Sequence, residues 1–388
     1  MNDDRTPLRD LALLFLKLGT TAFGGPAAHV ALMEDEVVRR KHWLTREAFL
    51  DYLGATNLIP GPNSTEMAIH IGHARRGWPG LLVAGVSFIL PAALLVGVAA
   101  WAYVTYGSLP AVAGVLYGVK PVVIAVVVQA LWGLGRSAVK NWWLALVGLL
   151  SAAAILAGVH ELAVLAGAGA LAAIARAGRP GPRVAAMMAG AVCSAGGTAT
   201  VTAAISGLAG AAPFGLWTMF LLFAKIGAVL FGSGYVLLAF LRADFVERLG
   251  WLTESQLLDA IAIGQVTPGP VFTTATFIGY VLGGASGAAV ATVAIFLPAF
   301  VFVAMSGPLV PRIRRSPAAG AVLDGVNVAS LALMALVTWH LGRSALVDPL
   351  TVGVAILAAV AILKYRVNSV WLIAAGALAG WLFALFGA

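Results

Sequence analysis

The chain has 388 residues, 61% of them hydrophobic and only 10% charged, with a formal net charge of +8 and one cysteine, Cys193. A soluble domain carries about 25% charged residues, so the composition excludes a water-soluble globular fold, and one cysteine excludes an intrachain disulfide, a cysteine-rich metal site and an iron–sulfur cluster. The basic residues lie in short loops between apolar runs, which excludes the continuous phosphate-tracking patch of a nucleic-acid binder.

The N-terminus sets Asp3, Asp4 and Asp10 beside Arg5 and Arg9, and Lys17 interrupts the first apolar run, so it does not read as a cleavable signal peptide. Thirteen hydrophobic segments follow. They run near residues 11–31, 54–72, 79–104, 110–134, 142–158, 161–176, 185–209, 216–240, 257–280, 286–306, 322–341, 349–363 and 369–387. A spanning helix needs about 20 mainly apolar residues. The expected class is therefore an all-α integral membrane protein with the lipid bilayer as its solvent.

An internal repeat organises these segments. Phe15 to Gly25 realigns with Phe223 to Ser233 at an offset of 208, and the same offset pairs Trp43-Leu44-Thr45 with Trp251-Leu252-Thr253, Asp51 with Asp259, and Pro60-Gly61-Pro62 with Pro268-Gly269-Pro270. After one deletion the offset is 207, pairing Leu90-Pro91 with Leu297-Pro298 and Gly135-Arg136-Ser137 with Gly342-Arg343-Ser344. This predicts repeats at 1–177 and 216–388 of about six hydrophobic segments each, joined by a linker, 178–215, that contains one transmembrane helix.

Such a linker turns the second copy over, and the loop charges agree. Arg75 and Arg76 follow the second segment of copy one, whereas Arg312, Arg314 and Arg315 follow the third segment of copy two. Because Lys and Arg concentrate on the cytoplasmic side, the halves are expected to have inverted topology with the N-terminus inside. Inverted repeats are a hallmark of secondary transporters, whose halves rock about a shared midplane site.

The strongest local signal is the Pro-Gly-Pro pair. Proline removes a donor, glycine permits a sharp reversal, and a second proline suits a new helix start. Each copy is thus expected to break and restart a helix inside the membrane, where irregular backbone persists only if protein buries it or it lines a watery cavity. A new helix N-terminus favours an anion. The expected substrate-binding residues there are Pro60, Gly61, Pro62, Asn63, Ser64 and Thr65, with Pro268, Gly269, Pro270, Thr273 and Thr274 opposite.

A second break is read at Phe23-Gly24-Gly25-Pro26 and Phe231-Gly232-Ser233-Gly234. It adds Gly24, Gly25, Gly232 and Ser233, and favours Pro/Gly-broken or re-entrant helices over full crossings at the start of each copy. Lys17, Lys120 and Lys225 lie within apolar runs where Glu66 is the one obvious acidic counterpart, so they are expected to supply positive potential balanced by an anionic substrate. Snorkelling of Lys17 and Lys225 to an interface is the structural alternative. Glu66 and His29 are the candidate proton-coupling groups. No zinc-type His-Glu-x-x-His, Walker loop or nucleophile elbow occurs, so neither an enzyme, a metal site nor a cofactor is expected.

Taken together, the Phe23-Gly24-Gly25-Pro26 run with His29, the Trp43-Leu44-Thr45 entry, Ile59 to Ser64, Gly77-Trp78-Pro79-Gly80 and Phe88 to Pro91 resemble the signature of the chromate ion transporter family in its long-chain, two-domain form. That resemblance implies a multi-pass protein of the bacterial inner membrane that exports chromate, driven by the proton-motive force, with sulfate as a competing or alternative substrate. Another divalent-anion carrier or an anion channel remains the alternative, and a homodimer is one assembly open to it.

Overall fold

The computed structural model describes residues 6–22, 25–107, 109–177, 214–231, 236–314, 317–365 and 367–386, and the elements they form are helical. The expected linker helix lies outside the described residues. Copy one folds as α1 (Leu8–Thr21), α2 (Gly25–Glu34) with a π-helical turn (Asp35–Arg40), α3 (Arg46–Thr56), α4 (Asn63–Tyr106), α5 (Pro110–Ala138), α6 (Trp142–Leu156) and α7 (Glu161–Ala177). Copy two repeats the order as α8 (Leu216–Val229), α9 (Leu237–Leu241) with a π-helical turn (Arg242–Arg248), α10 (Glu254–Val266), α11 (Thr274–Arg314), α12 (Pro317–Ala345), α13 (Pro349–Tyr365) and α14 (Ser369–Phe386).

Among the described residues, four stretches are long and apolar enough to cross a membrane: Asn63–Tyr106, Val112–Ala138, Val271–Ser306 and Ala318–Ala345. Large apolar side chains such as Trp142, Leu357 and Trp371 point outward, as a lipid-facing surface requires. The chain is a multi-pass membrane protein.

The repeated Trp-Leu-Thr motif has a local cause. Thr45 accepts a hydrogen bond from the Ala48 N–H at 3.2 Å and starts α3. Thr253 does the same for α10, closing a capping box with Gln256. Such caps satisfy helix-end donors that lack an intrahelical partner.

α4 and α11 are each two antiparallel limbs. Arg76 and Gly77 leave helical geometry with Gly77 at φ 60°, and Gly283 and Gly284 do so with Gly284 at φ 62°, a left-handed conformation that only glycine adopts freely. The limbs then touch through glycine. A Cβ on Gly72 would stand 2.2 Å from the Gly80 carbonyl oxygen, and one on Gly279 would stand 2.4 Å from that of Gly287. The first limb of α4, residues 63–75, is about 20 Å long at 1.5 Å per residue, too short for a hydrocarbon core of about 30 Å.

That short limb returns to the end from which the copy started. Arg75 at its tip donates to the Thr6 hydroxyl and to the Trp43 carbonyl, both at 2.8 Å, so the entry to α1, the exit from the α2 turn and the α4 reversal meet. In copy two the tie is aromatic. Phe214 meets Trp251 edge-on at 5.3 Å, and a Cβ on Gly283 would lie 2.9 Å from the Phe214 ring.

The later helices exchange partners. α5 packs against α13 and α14 of the other copy, and α12 against α6 and α7. Small residues allow it: Gly114 and Gly118 abut Gly380 and Gly376, and Gly325 abuts Ala168. Close backbone approach of this kind is the usual glue between membrane helices. The equivalent long helices α5 and α12 run in opposite directions, since a Cβ on Gly342 would stand 3.9 Å from Ile124 while Lys140 pairs with Asp324 at 2.6 Å.

Because a side chain at Gly72 must push the limbs of α4 apart, Gly72→Val is expected to cost about 1–3 kcal/mol or more of stability by overpacking. Gly97→Val, where an added Cβ meets nothing within 4 Å, is expected to be near neutral. Thermal unfolding of the purified, detergent-solubilised variants checks the pair.

Candidate functional site

At the copy-one break the chain leaves α3, turns through Asn57 to Pro62 and restarts as α4, with Gly61 at φ 140°. The Pro62 carbonyl accepts the N–H groups of Thr65 and Glu66 at 2.8 and 3.0 Å, which begins the new helix. Ser64, Thr65 and Glu66 are buried. Neither Glu66 oxygen has a hydrogen-bond partner among the described residues, and the carboxylate fills the space beside Gly61, where an added Cβ would stand 2.3 Å from Oε1. Asn63 donates from Nδ2 to Asn57 Oδ1 at 2.8 Å.

The copy-two break is built alike, with Gly269 at φ 95° and a single 3₁₀ turn at Val271–Thr273 before α11. Its hydroxyls are turned inward. Thr273 donates to the Pro270 carbonyl at 2.9 Å and Thr274 to the Val271 carbonyl at 2.8 Å.

Each break is tied to the opposite copy by its glycine. The Gly61 N–H donates to the Leu230 carbonyl at 2.7 Å, and the Gly269 N–H to the Ala22 carbonyl at 3.0 Å. Leu230 ends α8 and Ala22 ends α1, at equivalent places in the repeat. A Cβ on Gly61 would approach Ala299, and one on Gly269 would stand 2.6 Å from the Ala92 Cβ. The Ala22 carbonyl also receives His29 Nε2 at 3.0 Å. A carbonyl only accepts, so Nε2 carries the proton, and Nδ1 is left without a partner among the described residues.

Two cavities open beside the ties. One of about 540 Å³ is lined by Gly25, Asn57, Asn63, Gln129, Asn327 and Ser330 among others, including Lys140 and Asp324. The second, about 500 Å³, is lined by Ala22, His29, Gln129, Gln265, Gly269 and Val271 among others. Gly25, Gln129 and Gly133 belong to both walls. The sequence predicts one cavity framed by both breaks; the structure has one beside each break, because α5 stands between them.

Of the expected residues, Gly25, His29, Asn63 and Gly269 line these cavities. Gly61 and Gly269 make the cross-ties, while Pro60, Pro62, Pro268 and Pro270 shape the turns. Ser64, Thr65, Glu66, Thr273 and Thr274 lie in the packed layer behind. Gly24, Gly232 and Ser233 fall outside the described residues.

The expectation of uncompensated cations is corrected. Lys17 pairs with Glu36 at 2.7 Å, Lys225 with Asp244 at 2.5 Å, and Lys120 with Asp259 at 3.1 Å, and the three lysines are absent from the walls of both cavities. Glu36 and Asp244 lie on the π-helical turns, beyond the apolar runs, and Asp259 comes from the other copy. Asp259 also accepts from the Tyr103 hydroxyl at 2.9 Å, and Lys120 donates to Ser255 at 2.7 Å, so α4, α5 and α10 are joined by one polar cluster. The wall residues overlooked are Asn57, Gln129, Gln265, Asn327 and Ser330. Gln129, directly after the run from Val122 to Val128, carries a readable signal, since a polar side chain at that depth is costly unless it faces a cavity.

Broken helices from two matched repeats, tied together inside an apolar body and opening on polar cavities, define a polytopic membrane transport protein. The chain belongs to the chromate transporter family, whose model, described as "Chromate transporter", matches residues 9–174 and 217–381. It is 34% identical over 376 residues to the chromate transport protein of Cupriavidus metallidurans, covering 95% of this chain and 91% of the relative. It is 33% identical over 378 residues to that of Pseudomonas aeruginosa, covering 95% and 90%. A probable chromate transport protein of Synechococcus elongatus is 31% identical over 345 residues, covering 88% and 86%. No solved structure matches the chain.

The Lys120–Asp259 pair is nearly buried, so removing one partner strands a charge, which typically costs about 3–5 kcal/mol. Lys120→Met and Asp259→Asn are each expected to be strongly destabilising. The double variant should recover stability, with a coupling of about 1–3 kcal/mol in a thermodynamic cycle.

Proposed function

We propose that the chain is a secondary transporter of a tetrahedral oxyanion, chromate first and sulfate second, working by alternating access around the paired breaks. The observation that carries this reading is the reciprocal tie of Gly61 to Leu230 and Gly269 to Ala22, with a polar cavity beside each broken helix. Helix restarts offer amide donors and a positive dipole end. Asn57, Asn63 and the neighbouring amide and hydroxyl groups extend that donor set without a free cation. Chromate comes from the family and from the names of the relatives.

The inverted orientation of the repeats is part of this proposal. It is supported by the opposite directions of α5 and α12, and by basic loops gathering at one end when the chain is followed through its crossings. With that end cytoplasmic, the N-terminus lies on the cytoplasmic side of the bacterial inner membrane and the first two segments of each copy are re-entrant. In this reading both cavities open to the cytoplasm, past Lys140 and Asn368 of their respective walls. In the same reading the Lys120–Asp259–Tyr103 cluster, which joins α4, α5 and α10, closes the opposite end. The reading is of a carrier facing inward, poised for export, with Glu66 as the proton-coupling group and His29 as its second candidate.

Purified protein in proteoliposomes is expected to move chromate with saturable kinetics, in competition with sulfate, and against a concentration gradient when a pH gradient is imposed. Flux that rises linearly with concentration and never runs uphill would mark a channel and contradict the reading. Asn63→Ala should lower chromate transport about tenfold at unchanged protein level, the scale of one hydrogen bond to a charged group. Glu66→Gln should leave downhill exchange intact while removing the response to the pH gradient; an unchanged response would remove Glu66 from coupling.

A further inference from the structure

We propose that the Gln129 carboxamide is a direct ligand of the transported oxyanion, common to both cavities, so that they act as two lobes of one binding chamber. This rests on the carrier reading above and adds a residue to its site.

Gln129 lies nine residues before the end of the 27-residue apolar stretch Val112–Ala138, about 13 Å along the helix at 1.5 Å per residue. That places it near the middle of a hydrocarbon layer about 30 Å thick. The preceding residues Val122 to Val127 are buried in the protein core, whereas Gln129 is exposed. A carboxamide at such depth is tolerated where it meets a cavity instead of lipid. Gln129 does meet one on each side, since it stands in both cavity walls.

The surroundings leave space for a ligand. Gly133, one turn further along the same face, also lines both cavities, and a Cβ built there meets nothing within 4 Å. Gly25 closes the shared wall from the other direction. No ion pair or hydrogen bond engages the Gln129 side chain among the described residues. Its amide hydrogens are therefore free to donate to an anionic oxygen.

Symmetry argues against a merely architectural role. The equivalent position in copy two, 207 residues later, is Leu336, so the fold accepts an apolar side chain of similar size there. The donor chemistry is also complementary to a fully deprotonated tetrahedral anion. The amides of Asn57, Asn63 and Gln129 present N–H groups, whereas the cationic Lys140 is already engaged by Asp324.

The test is equilibrium binding of sodium chromate and sodium sulfate to the purified full-length protein by titration calorimetry, at constant ionic strength, with chloride as control. Gln129→Leu, which copies Leu336, is expected to keep the wild-type unfolding temperature and weaken both anions about tenfold or more. Gln129→Glu should abolish binding at neutral pH by like-charge repulsion, and Gln129→Asn should retain part of it. Gly133→Leu, which fills the shared space, should also lose binding while remaining folded. If the wild type binds chromate or sulfate and Gln129→Leu binds equally well, Gln129 is not a ligand although the carrier reading stands. If the wild type binds neither anion above the chloride control, the carrier reading fails and this inference with it.

Discussion

Two backbone hydrogen bonds hold the architecture together: Gly61 N–H to the Leu230 carbonyl and Gly269 N–H to the Ala22 carbonyl. A chain that breaks its helices inside a bilayer exposes amides and carbonyls that lipid cannot satisfy, at several kcal/mol each. Here the orphan carbonyl ending the first helix of one copy is matched with the orphan amide in the break of the other. Each copy thus satisfies a backbone donor in its break with a carbonyl of the other. The reciprocal packing of α5 on α13 and α14, and of α12 on α6 and α7, extends the same dependence to the periphery.

The copies share a backbone plan and divide the polar chemistry unequally. Lys120 and Tyr103 grip Asp259, while the corresponding positions in the other direction are Asn327 and Val310. His29 caps the Ala22 carbonyl, where copy two has Leu237 at the equivalent site. Gln129 faces the cavities, where copy two has Leu336. Duplication supplies the frame, and divergence within it gives the two ends of the molecule different polar ties.

Much of this was legible in the residues. The offsets of 208 and 207 gave the repeat, Pro-Gly-Pro gave the breaks, and Trp-Leu-Thr marked the helix entries that the threonines prove to cap. The reversal between the second and third segments was visible as a charged loop, and the glycines that close it, Gly72 and Gly80, have their partners in Gly279 and Gly287. The pairing of Lys17 and Lys225 is hard to see because Glu36 and Asp244 lie on the π-helical turns beyond the core of the apolar runs. Yet the offset that pairs Lys17 with Lys225 also pairs Glu36 with Asp244, a signal that could have been followed. Lys120 was harder, since its partner Asp259 comes from the other copy and only tertiary packing joins them. The division of the polar space into two cavities was not readable, because it depends on where the face of α5 carrying Gln129 points.

The proposed account makes anion recognition a property of neutral donors in the cavities beside the two breaks, with the lysines serving the scaffold. A structure determined with chromate bound tests that most directly. It should place the tetrahedral anion in the chamber walled by Asn63, Gln129 and Gly269, with both glycine amide ties intact. Density for the anion on Lys17, Lys120 or Lys225, with their carboxylate partners displaced and the chamber empty, would contradict it.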